Sequence, residues 1–128
     1  MDRVAAIRQA IEAFGRRDFE MALERFDPQV EWHPASEDPD AMTRYGHAGV
    51  AEHFTQWTAA FDDLQGEVEA AREQGDEVVV LLHYWGHGSE SGVEIDDRVW
   101  QVFTFRGERI VRVEESYERP SNHGEESG

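Results

Sequence analysis

The spacing of apolar residues along this chain changes period once, from steps of three and four to steps of two, and that change restricts the fold more than any other feature. Val4, Ile7, Ile11 and Phe14 fall on one helical face, with Arg8, Glu12 and Arg16 opposite, so a helix is predicted over 3–16. Asp18 is placed to cap a short second helix with Phe19, Leu23 and Phe26 inward, stopped by Asp27-Pro28. VEWHP at 30–34 alternates as a short strand ended by Pro34, and the acidic 35–46 segment reads as a loop on a functional rim. A third helix begins at about Gly49 and carries Val50, Phe54, Trp57 and Phe61. From there to Arg119 the alternation is strand-like over 67–72, 77–84, 93–105 and 110–118, punctuated by Gly75, the 86–92 segment and Gly107. The order predicts one α+β domain over 1–119, three N-terminal helices packed on a strongly curved antiparallel sheet, followed by a disordered polar tail at 120–128.

Charge and composition remove several function classes. The net charge of −16 over 128 residues repels nucleic acid phosphates and anionic lipid, and the twelve basic residues, all Arg, are scattered. No nucleic acid or membrane partner is expected, and the longest apolar run, Val78 to Leu82, is far short of a bilayer span. A cytoplasmic location follows as the expectation. With no Cys, thiol chemistry and Cys-based zinc sites are absent. His83 and His87 stand about 13 Å apart along a strand, too far to share an ion, and no HExxH or Walker-type loop occurs, so neither metal nor cofactor is expected.

Strand parity points to a site. Val111 and Val113 define the inward face of the last strand, which carries Glu115 and Tyr117 inward as well. On the preceding strand Gln101 interrupts the apolar row of Val99, Phe103 and Phe105. A turn at Gly107 brings Gln101 and Glu115 together, walled by Trp32, Trp57, Tyr84, Phe103 and Tyr117, with Tyr45 and His53 toward the mouth. In such a pocket desolvation favours a protonated Glu115 suited to general acid/base work, and Gln101 becomes a donor to a developing oxyanion. The plainer alternatives are a Glu115 that reaches solvent at the strand end and an aromatic row that simply packs as core.

DPQVEW at 27–32, RYGHAGVAEHF at 44–54, DEVVVLLHYWGHGSESGVEID at 76–96 and FTFRGERIVRVEESYER at 103–119, in this order of elements, resemble the SnoaL-like branch of the nuclear transport factor 2-like superfamily. The resemblance implies a cone-shaped barrel enclosing an apolar pocket, and a homodimer through the outer sheet face, where His83, Trp85, Trp100 and Val102 lie. Ketosteroid isomerases of this superfamily carry a tyrosine, an aspartate base and an acidic oxyanion donor at positions matching Ala10, Trp32 and Gln101 here, so all three differ. The Asp-Arg-Asp set of the limonene-type epoxide hydrolases has no clear counterpart, since Asp97 and Arg98 are adjacent on a strand and point to opposite faces.

Two functions fit these residues. One is a binding protein for a small hydrophobic or aromatic ligand, polyketide- or steroid-like, that catalyses cyclisation, isomerisation or dehydration through Glu115 and Gln101. The other is a non-catalytic dimerisation, ligand-carrier or partner-binding module, because fold does not determine activity.

Overall fold

The computed structural model describes residues 2–38 and 41–120. Helix α1 (Arg3–Gly15) starts where the Asp2 carboxylate accepts from the Ala5 N–H at 3.1 Å, and α2 (Phe19–Ala22) where Asp18 accepts from Met21 N–H at 3.2 Å. Strands β1 (Phe26–His33) and β2 (Arg44–Tyr45) precede α3 (Gly46–Ala60), and β3 (Gln65–Gln74), β4 (Glu77–His87), β5 (Glu94–Arg106) and β6 (Arg109–Ser116) complete the chain's regular structure.

The six strands form one sheet in the order β2-β1-β6-β5-β4-β3, with α1 lying against β3 and α3 against β1. This is the expected α+β arrangement, with two differences. The sheet is mixed, because β1 runs parallel to β6, and it is open, with β2 and β3 as its edges. The second helix is also shorter than its apolar spacing suggests: Phe26, Asp27 and Pro28 belong to β1. Pro28 has no N–H for a ladder, and the β1–β6 register slips between Phe26 and Glu31, which accommodates it.

A β-bulge matters for the site. Thr104 pairs with Arg112 and Phe105 with Ile110, so Val111, expected inward by alternation, is the extra residue on β6, and Ile110 takes the buried position in its place. The bulge precedes Val113, which leaves the parity of Glu115 and Tyr117 intact. Ile7, Phe26, Val30, Val50, Val78, Val80, Ile110 and Val113 are the largest fully buried side chains, filling the space between helices and sheet. At the turn into α3, Gly46 adopts φ +73°, and a Cβ there would meet the Pro28 carbonyl at 3.2 Å. No described helix is long and apolar enough to cross a membrane. The tail at 121–128, read from the sequence as disordered, lies outside the described residues.

Candidate functional site

The open end of the core encloses an inner cavity of about 110 Å³, walled by Phe14, Phe54, Trp57, Leu82, Phe103 and Trp32. Gln101 on β5 and Glu115 on β6 are direct ladder partners on its floor. The Gln101 Nε2–H donates to Glu115 Oε2 at 2.9 Å, and the Trp32 Nε1–H, from the parallel neighbour β1, donates to Oε1 at 3.3 Å. Burial nevertheless dominates over these two donors and pushes the Glu115 carboxyl up to about 7, with the Asp38 charge adding to the rise. A carboxyl so placed exchanges its proton near neutrality, as an acid/base group must.

One Nε2–H of Gln101 is engaged by Glu115. The Gln101 Oε1 is buried with no partner in the protein, so the unsatisfied end of Gln101 is an acceptor.

A second polar group lies higher in the same cavity. The Tyr117 hydroxyl donates to Asp38 Oδ1 at 2.7 Å, and Tyr84 lies beside it, with burial pushing both phenols above their ordinary range. Tyr84 also feels the Glu115 carboxylate, which opposes its ionisation further. Both tyrosines therefore stay protonated, as donors. His53 is buried against Trp32 and Trp57, at ring distances of 5.5 and 6.4 Å, and burial together with the Arg44 charge pushes it down to about 4, so it is neutral.

Asp38, His53 and Trp57 also line an outer cavity of about 290 Å³, completed by Pro34, Arg44, Gln56, Ala60 and Phe61. The two cavities thus share Asp38, His53 and Trp57 in their walls. Arg44 and Asp38 are the residues that sequence reasoning missed. Both lie in the segment read as a loop, and Arg44 is in fact on β2, paired with Trp32. Its two-residue alternation turns Arg44 inward and Tyr45 out, burying the cation and leaving the tyrosine 66% exposed. Tyr45 is therefore removed from the pocket. The other expected residues, Trp32, His53, Trp57, Tyr84, Gln101, Phe103, Glu115 and Tyr117, all line the inner cavity. His83 and His87 take carboxylate partners, Asp96 at 2.9 Å and Asp63 at 3.0 Å, and no group of three metal-ligating side chains occurs among the described residues.

Comparison with known proteins is consistent with this architecture. Residues 7–113 match the SnoaL-like domain family. The chain belongs to the SnoaL-like family. The superfamily is nuclear transport factor 2-like, and several solved structures share its fold. TerC, co-crystallised with polyporic acid, superposes with a TM-score of 0.79 at 25% identity, covering 91% of each chain. A nuclear transport factor 2-like protein of unknown function from Burkholderia pseudomallei K96243 gives 0.77 at 24% identity over 92% of each chain. A putative SnoaL-like polyketide cyclase from Jannaschia sp. CCS1 gives 0.77 at 18% identity, covering 88% of this chain and 83% of its own. No curated protein matches.

Within this SnoaL-like cavity, Ala10, Trp32 and Gln101, the positions that match the ketosteroid isomerase set, all reach the inner wall. None can ionise, and among the described residues the only carboxyls lining it are Glu115 and Asp38. Asp97 and Arg98, weighed against the epoxide hydrolase pattern, are both exposed, and Arg98 is forked onto Glu69 at 2.7 and 2.9 Å. Neither side chain lines the cavities of this SnoaL-like chain, although the Asp97 charge, across the ladder from Tyr84, adds to the rise of that phenol.

Proposed function

We propose that this SnoaL-like protein binds a small, largely apolar or aromatic molecule in these two cavities and catalyses proton transfer at a carbon beside a carbonyl, in a cyclisation, isomerisation or dehydration. The observation that carries this reading is Glu115: a carboxyl on the floor of an apolar cavity, held by two N–H donors and poised near neutrality. As carboxylate it removes the proton, and as acid it returns it. Charge developing on the carbonyl oxygen meets a phenol, with Tyr84 the candidate donor. TerC's crystals with polyporic acid support an aromatic ligand class.

One observation favours the second reading, a non-catalytic carrier. The inner cavity of about 110 Å³ is smaller than the ~150 Å³ that accommodates one benzene. A polycyclic, polyketide- or steroid-like molecule must therefore extend into the outer cavity, and only a fragment reaches Glu115.

A thermal-shift screen against polycyclic aromatics, polyketide-like phenols, steroids and terpene epoxides tests the binding reading, since a ligand at ~100 times its Kd stabilises by ~2.7 kcal/mol. Stabilisation by one class identifies the chemistry, and turnover of that class separates enzyme from carrier. Flat curves across all classes would count against a small-molecule pocket.

The same reading includes a homodimer through the outer sheet face. Val79 and Val102 pair there, as do Leu81 and Trp100, giving an apolar centre flanked by His83 and Trp85. Arg119 lies over the Trp100 ring at 5.8 Å, and Val79 and Val102 are already buried within one chain, so the interface would rest mainly on Leu81, Trp85 and Trp100. Sedimentation of a single monomeric species at micromolar concentration would eliminate it.

A further inference from the structure

The outer cavity holds a buried cation that the proton-transfer reading does not use. Arg44 is 7% exposed and lines this cavity. Its Nη2 donates to Gln56 Oε1 at 2.7 Å, and its Nη1 reaches Glu52 Oε1 only at 3.4 Å, with the Glu52 side chain 66% in solvent. The Nε–H is buried with no partner. A guanidinium with five donors, one neutral amide and one weak, solvated carboxylate is under-neutralised for its depth. Among the described residues, the other ionisable groups facing the cavity do not correct this. His53 is neutral, and the Asp38 carboxylate already accepts from Tyr117.

We infer that Arg44, with Gln56 beside it, forms a subsite for a planar oxyanion, a carboxylate or the enolate of a β-dicarbonyl, carried on the outer end of the ligand. This deepens the proposed function and rests on it for the ligand's inner end: the apolar fragment enters toward Glu115 while the anionic group stays at Arg44. The outer volume of about 290 Å³ exceeds what a carboxylate alone needs, leaving room for its attached chain or ring. The spacing on α3 suits the assignment. Glu52 and Gln56 lie one turn apart and meet the guanidinium, while His53, Trp57 and Ala60 form the adjoining wall. Glu52 then competes with the ligand for the cation from the solvent side.

The test uses cinnamate and its neutral amide, cinnamamide, by titration calorimetry at pH 8, and acetate against chloride at equal ionic strength by thermal shift. Cinnamate should bind at least tenfold more tightly than the amide. Arg44→Gln should erase that preference by weakening cinnamate alone, and Arg44→Lys should restore part of it. Glu52→Gln, at an exposed position, should tighten cinnamate two- to fivefold, a gain that a purely structural Arg44 would not produce. Acetate should raise the wild-type Tm by about 2 °C or more and do nothing for Arg44→Gln. Acetate protection without binding of either ring compound would uphold the anion subsite and overturn the ring-binding cavity. Equal binding of cinnamate and cinnamamide, with no acetate effect, would overturn the subsite and leave the cavity standing. Silence in every assay would overturn both.

Discussion

Gln101 sits directly across the β5–β6 ladder from Glu115, turns its amide N–H onto the carboxylate at 2.9 Å, and leaves its own oxygen buried and unpartnered. Together with the Trp32 indole, it stabilises the ionised form of a group that its surroundings otherwise hold protonated. The balance between those opposing influences sets where Glu115 titrates.

Replacing Glu115 by Gln keeps the shape and removes the proton exchange. On a substrate identified by the screen, kcat should fall by a factor of ~10² to 10⁴ while Kd stays within a few-fold. Kinetics and calorimetry on the same preparation read both quantities, and unchanged turnover would remove Glu115 from the chemistry.

Removing a donor from Glu115 should move its titration upward. Gln101→Leu and Trp32→Phe each delete one N–H that favours the carboxylate, so the acid limb of a kcat profile, or the carboxyl carbon shift in NMR, should move to higher pH in both. Trp32→Phe retains an aromatic ring against Phe54 and His53, which separates the lost hydrogen bond from lost packing. A titration that stays in place would show that these contacts do not govern the carboxyl.

Glu115 and His53 make opposite contributions to stability against pH. The folded chain holds a proton on Glu115, from an ordinary 4.5 up to about 7, and lacks one on His53, from 6.5 down to about 4. Between pH 4.5 and 6.5 the first makes stability fall with pH and the second makes it rise, so the two slopes largely cancel. Glu115→Gln should unmask a stability that rises over this window, and His53→Gln one that falls, each by a total on the order of 3 kcal/mol. Urea unfolding at several pH values measures this. Parallel curves for wild type and both variants would refute the opposed titrations.

Gly86 leaves little room for a side chain. A Cβ there would meet Leu64 Cα at 3.1 Å and Leu64 N at 3.3 Å, backbone atoms that cannot rotate away. Gly86→Ala should cost about 1–3 kcal/mol, read as a lowered Tm, with loss of ligand binding only as the fold is lost.

The floor of the site was legible because alternation survives locally. The Gly107 turn joins β5 to β6, and the bulge at Val111 falls before Val113, so counting by two from Val113 reaches Glu115 and Tyr117 correctly. Counting back from the same residue fails, and Ile110 fills the core instead. The mouth was illegible for a different reason. A two-residue strand has no periodicity to read, and the usual preference for burying a tyrosine over an arginine chooses the wrong member of Arg44 and Tyr45. Hairpin logic pairs neighbours in sequence, and so could not propose that β1 lies parallel to β6.

That parallel pairing also governs the order of events during synthesis. Trp32 and Glu115 are 83 positions apart, so the nascent chain presents its helices, β1 and the β3–β4 hairpin long before the carboxylate that completes the cavity floor has been made. Until β6 inserts between β1 and β5, both flanking strands offer unpaired edges to any neighbour. The strand that carries Glu115 is therefore also the one whose late arrival closes the gap between β1 and β5, so the geometry of the cavity floor and safe folding depend on the same eight residues, Arg109–Ser116.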